Sequence, residues 1–124
     1  MNNGDDVGKS GASNGVDLAS KKCIPCEKGG PPLPPQDAEA LLKKLDGWML
    51  WPDAKMISKS FKFKDFASAF AFATKIAEKA DEEGHHPDLL ISWGRVEVEL
   101  STHSIGGLSE NDFILAAKID GIIR

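Results

Sequence analysis

The chain has 124 residues, with 15 Lys and Arg against 19 Asp and Glu, and is 41% hydrophobic and 27% charged. That length fits one domain, no stretch approaches the ~18 consecutive apolar residues of a membrane span, and a net charge of −4 argues against a generic nucleic-acid binder. Two Cys do not make the disulfide scaffold of a small secreted protein, so the expectation is a soluble, cytoplasmic single domain, organellar if a targeting peptide has been removed.

Residues 1–35 hold six of the 12 Gly and five of the seven Pro, with few bulky apolar residues. Such a segment buries too little surface to offset the entropy of ordering it. It is read as a mobile tail that contains a CxxC and ends in Pro31-Pro32-Leu33-Pro34-Pro35, with residues 36–124 as the functional domain. The tail has no apolar h-region and no Arg, unlike secretory or transit peptides.

Within the domain, Ala38, Leu41, Leu42 and Leu45 recur at helical spacing over Asp37–Leu45, and Gly47 stops the helix. Trp48–Trp51 is a short apolar strand closed by Pro52-Asp53. Met56–Phe63 predicts a half-buried strand with Ile57, Phe61 and Phe63 inward. Asp65–Glu83 is the longest helix, with Phe66, Ala69, Phe70, Ala73, Ala77 and Ala80 as its apolar stripe and Gly84 as its stop. Leu89–Trp93 reads as a strand, Gly94-Arg95 as a hairpin turn, and Val96, Val98 and Leu100 as the inward face of the next strand. A last helix opens at Ser109. The order α-β-β-α-β-β-α predicts an α+β fold: a four-stranded antiparallel sheet with helices on one face. No Gly-rich phosphate loop follows any strand.

The three histidines are His85, His86 and His103. The first two follow the Gly84 helix stop, where a loop held by rigid elements favours function, although a solvated loop turned by Pro87 is the plainer reading. His103 shares its strand parity with Glu97, Glu99 and Ser101, which points it away from the valine core. His85 and His86 precede the third strand and His103 follows the fourth, so all three fall at the open end of one hairpin. Asp112 stands three residues after Ser109, as in a capping box, and a structural role suffices for it. Asp81 and Asp88 flank the histidine pair and can orient an imidazole by accepting its N–H, or simply be solvated. Cys23-Ile24-Pro25-Cys26 lacks both the βαβ context of a redox pair and the second ligand pair of a zinc site, and is read as structural or incidental, with a redox or metal module as the minority reading. No metal is expected.

The run Asp81-x-x-x-His85-His86-Pro87, Trp93, Ser101-Thr102-His103, Gly107-Leu108-Ser109 and Asp112 strongly resembles the pterin-4a-carbinolamine dehydratases, also known as the dimerisation cofactor of a hepatocyte nuclear factor. Gly47-Trp48 and Phe61-x-Phe63-Lys64-Asp65-Phe66 fit the same family upstream, and the likeness covers about 36–124. Gly84 and Asn111 depart from it, where an acidic residue and an Arg are common. The resemblance implies dehydration of a 4a-hydroxytetrahydropterin to quinonoid dihydropterin without a cofactor. It makes His85, His86 and His103 the catalytic trio and places Trp48, Asp81, Ser101, Thr102 and Ser104 at the substrate, with Asp88 and Asp112 structural or orienting. It also implies a homodimer or homotetramer and allows a scaffolding role with a protein partner.

Overall fold

The computed structural model describes residues 15–24 and 31–123. In chain order they form α1 (Gly15–Ser20), α2 (Pro35–Leu42), β1 (Met49–Leu50), β2 (Ile57–Lys62), α3 (Phe66–Glu83), β3 (Asp88–Ser92), β4 (Arg95–Leu100), a 3-10 turn (His103–Ile105) and α4 (Glu110–Ile123). The strands make one antiparallel sheet in the order β1-β2-β4-β3, two hairpins joined through β2 and β4. The helices cover one face, giving the α+β architecture that the pattern predicts. No helix among the described residues is long and apolar enough to cross a membrane.

Strand parity sets the core. Ile57 pairs with Leu100, Phe61 with Val96, and both Leu89 and Ile91 with the valines of β4. Val96, Val98 and Leu100 are fully buried beneath the helices, while Glu97 and Glu99 face the other way. The β3–β4 turn is Trp93-Gly94, one residue earlier than expected, because Ser92 and Arg95 already pair. α2 begins at Pro35, two residues before the expected start, since a proline fits the first helical turn, where its missing N–H leaves no bond unmade.

α3 is capped by Asp65, whose carboxylate accepts the Ser68 amide at 2.8 Å. The Ser68 side chain and amide hold that carboxyl below the ordinary carboxylate range. The buried face differs from the expected stripe. Ala69, Phe72, Ala73, Ile76 and Ala80 face inward, whereas Phe66 and Phe70 are 49% and 53% exposed and Ala77 is exposed. Both stripes satisfy helical spacing because the helix is apolar over much of its surface. The aromatic cluster decides between them, with Phe72 packing on Phe61 and Phe63 at ring distances of 4.8 and 5.1 Å.

α4 is buried on nearly every side, from Asn111 through Ala117 and again at Ile119 and Asp120. α1, α2 and α3 all pack against it. Within the segment read as a tail, Leu18 is only 1% exposed, and Lys118 Nζ donates to the Ala19 carbonyl at 2.7 Å. The proline run is seated too. The Leu33 amide donates to the Leu108 carbonyl at 2.8 Å, and Pro32 lies so close to Gly107 that a Cβ there would sit 2.7 Å from it. Residues 1–14 and 25–30, Cys26 among them, lie outside the described residues.

The face of α3 is directly testable. Ile76→Ala, which empties a fully buried site, should cost about 2–5 kcal/mol in urea unfolding, while Ala77→Ser on the exposed side should stay within about 0.5 kcal/mol.

Candidate functional site

The end of α3 aims the histidine pair. Gly84 takes the left-handed conformation (φ 67°), its amide donates to the Asp81 carbonyl at 3.4 Å, and the His85 amide donates to the Ala80 carbonyl at 3.2 Å. These two bonds form a Schellman motif, which turns the chain sharply and leaves His85 beside the start of α4. Glycine is the residue that adopts this φ without strain.

There His85 Nε2 meets Asp112 Oδ1 at 2.6 Å. Asp112 is fully buried, and its other oxygen accepts Thr102 Oγ1 at 2.8 Å and the Ser109 amide at 3.0 Å. The Ser109 contact is half of the expected capping box. A hydroxyl has one proton, so with Thr102 donating to Asp112, the 2.7 Å Thr102–Ser109 contact has Ser109 as donor. An ionised carboxylate is acceptor-only, so in that state the 2.6 Å contact is an N–H donated by His85 Nε2 to Asp112 Oδ1. His86 Nε2 lies 3.0 Å from Asp81 Oδ1 in a pair open to solvent.

A cavity of about 520 Å³ opens at this point. One wall is Glu83, Gly84, His85 and His86; a second is Ser101, Thr102, His103 and Ser104; Asn111, Cys23 and Ile24 complete the lining. All three histidines of the chain thus reach one cavity. Antiparallel pairing is the cause: Asp88 of β3 lies opposite Glu99 of β4, which places the residues before β3 beside those after β4. His103 is exposed and sits in the 3-10 turn that follows β4 rather than in the strand itself.

Other expected residues lie elsewhere. Trp48 is buried away from the cavity, edge-on to Phe61, and its Nε1 donates to Asp120 Oδ2 at 3.0 Å. Lys59 Nζ joins Asp120 Oδ1 at 2.8 Å and the Asp46 carbonyl at 2.7 Å. An indole N–H needs a partner when buried, and this network supplies it; Trp48, expected at the substrate, does not line this cavity. Asp81 stands behind His86 and is not part of the lining, and Asp88 is exposed at the start of β3.

Five lining residues, Cys23, Ile24, Glu83, Gly84 and Asn111, were not foreseen as site residues. Glu83 Oε1 accepts the Cys23 amide at 2.9 Å, and its Oε2 lies 3.6 Å from Lys118 Nζ. Burial raises its carboxyl, but the Cys23 amide and the Lys118 and Lys22 cations more than offset this and hold it below the ordinary range. Asn111 accepts the Ile24 amide at 3.0 Å and donates to the Ile24 carbonyl at 2.6 Å. The Cys23 thiol is pushed up to about 12, first by burial and then by the Glu83 charge. A nucleophilic or redox cysteine needs the reverse shift. Among the described residues no cluster of three or more His, Cys, Asp and Glu is placed to hold a metal ion.

Comparison with known proteins decides the family. The family model for pterin 4 alpha carbinolamine dehydratase matches residues 31–122. The chain belongs to that family. A relative from Halorhodospira halophila, named for the same dehydratase, is 46% identical over 107 residues, covering 86% of this chain and 98% of its own. One from Rickettsia bellii is 52% identical over 103 residues, covering 83% of this chain and 91% of its own. The activity in those names is that of a hydro-lyase. Among solved structures, a transcriptional coactivator/pterin dehydratase from Brucella melitensis superposes with a TM-score of 0.69 at 38% identity, covering 73% of this chain and 97% of that one. A pterin dehydratase-like protein identified as a RuBisCO assembly factor in the alpha-carboxysome gives 0.54 at 26%, covering 62% and 89%. All three histidines and Asp112 of this dehydratase-family chain fall inside the matched span, whereas α1, Cys23 and Ile24 precede it.

Two measurements probe the site itself. Asp112→Asn sets an amide N–H₂ against a donor that the carboxylate accepted, and should lower stability by about 1–3 kcal/mol in urea unfolding. In a Cys26→Ser background, Cys23 alkylation by iodoacetamide at pH 8 should run at least about 100-fold slower than that of a free thiol, rising tenfold per pH unit towards about 12.

Proposed function

We propose that this chain dehydrates a 4a-hydroxytetrahydropterin to the quinonoid dihydropterin, with its histidines as the acid–base machinery. The observation that carries the reading is the convergence of His85, His86 and His103 on one cavity in a chain of this family. Its volume of about 520 Å³ lies within the usual range for small-molecule sites, roughly 300–1,000 Å³, which suits a bicyclic pterin.

The chemistry follows from the leaving group. Hydroxide leaves C4a poorly, so an acid protonates it and the C4a–O bond breaks with release of water. A base takes the N5 proton, and the N5–H electron pair becomes the C4a=N5 double bond. One proton is given and one taken, and no electrons are transferred to or from the protein. Imidazole, with an ordinary pKa of ~6.5, serves in either role near neutral pH. His86 and His103 are open to solvent and can re-equilibrate their protons with water between turnovers. They are assigned the proton transfers. His85, its Nε2 committed to buried Asp112, is assigned binding and orientation through Nδ1. Thr102 is spent on Asp112, Ser109 and Gly107, so its role is to position the wall, while Ser101 and Ser104 face the substrate.

A second reading, association with itself or with a protein partner beside catalysis, is favoured by the exposed Met49, Phe66, Phe70, Leu90 and Trp93. The assembly-factor neighbour is consistent with it.

The test is to generate the 4a-hydroxytetrahydropterin with a separate hydroxylase and follow its ultraviolet decay. Wild type should accelerate the decay, and His86→Ala and His103→Ala should each lower kcat/KM by about 10²–10⁴. Acceleration indifferent to both substitutions overturns the assigned site. No acceleration by folded wild type overturns the enzymatic reading in favour of the partner role.

A further inference from the structure

The segment before the family-matched span is built into the cavity. α1 lies along α4 with Leu18 buried, and the chain then runs to the cavity mouth through a series of polar contacts. Lys118 Nζ holds the Ala19 carbonyl at 2.7 Å, Glu110 Oε2 pairs with Lys21 Nζ at 2.7 Å, and Glu83 Oε1 takes the Cys23 amide at 2.9 Å. The Asn111 side chain then binds both backbone groups of Ile24, donating to its carbonyl at 2.6 Å and accepting its amide at 3.0 Å. One side-chain amide here reproduces the paired bonds of a strand ladder.

This clamp fixes the position of Ile24 without burying its side chain, which is 68% exposed while lining the cavity. The histidine and serine walls are polar, so Ile24 is the bulky aliphatic surface presented to a ligand there. A large apolar side chain held exposed at the lip of a polar cavity gains burial when a flat apolar face comes to rest on it.

We propose that Ile24 is a substrate contact that packs on the ring face of the pterin, and that Asn111 is the positioning residue that holds it there. The inference rests on the dehydratase reading of the same cavity. On this view the segment from α1 to Ile24 is the third wall of the site, and Asn111 couples it to the first turn of α4, one residue from Asp112. The contact favours substrates with a planar ring and acts on binding, since Ile24 has no group that transfers a proton.

The experiment measures steady-state dehydration by the full chain for wild type, Ile24→Ala, Ile24→Val, Asn111→Ala and the double variant Ile24→Ala/Asn111→Ala. Ile24→Ala should raise KM about three- to tenfold, as expected when part of an apolar side chain's burial against a ligand is lost, with kcat within twofold; Ile24→Val should restore most of the KM. Asn111→Ala should raise KM at least as much. Because both changes act through one contact, the double variant should be no worse than Asn111→Ala alone. Wild-type KM in Ile24→Ala overturns the proposal and leaves the dehydratase reading intact; that side chain is on the surface, so folding does not confuse the result. Additive effects in the double variant overturn Asn111 as the positioning residue. Absence of activity in wild type, seen before any variant is made, overturns the dehydratase reading and this inference with it.

Discussion

One buried carboxylate organises the functional end of this molecule. Asp112 accepts from the Ser109 amide, the Thr102 hydroxyl and His85 Nε2, and so joins the start of α4, the end of the last strand and the loop after α3. Each donor comes from a different element, and a fully buried carboxylate needs such hydrogen-bond partners. Its position in the first turn of α4 adds the favourable end of the helix dipole. The geometry of the histidine cavity is therefore a consequence of helix capping: the residue that starts α4 also holds an imidazole.

The far end of α4 shows the same problem with the opposite dipole. Asp120 is buried in the last turn, where the carbonyl ends disfavour a negative charge. It is matched by the Lys59 cation and the Trp48 indole. A buried carboxylate at a helix C-terminus needs a cation, and Lys59 supplies it from the core-facing side of β2, opposite Val98. The central helix is pinned at both ends by acids, one to the site and one to the scaffold. Trp48 belongs to the second group and does not line the histidine cavity.

Much of this was legible in the chain itself. Strand parity gave the buried face of β4, Gly84 marked the helix stop, and Ser109 to Asp112 carried the spacing of a cap. These are local signals, with periods of two, three or four residues that backbone geometry imposes. The face of α3 was not legible, because Phe66, Phe70, Phe72 and Ile76 offer two stripes and only the aromatics of β2 and its flank choose between them. Nor was the docking of α1, since Leu18 is a lone leucine in a Gly- and Pro-rich stretch, and its burial depends on an α4 that is packed on nearly every side.

By itself, then, the sequence determined the order of elements, the sheet's inward residues and a histidine motif specific enough to name a family, because each is written in spacing along the chain. The tertiary structure decided which residues meet across it: His85 with Asp112, Asn111 with Ile24, Glu83 with Cys23, and Trp48 with Asp120. Those contacts join residues from 27 to 87 positions apart. Their selection depends on which buried donor or acceptor finds a partner once the sheet and α4 are in place, a condition that no local pattern encodes.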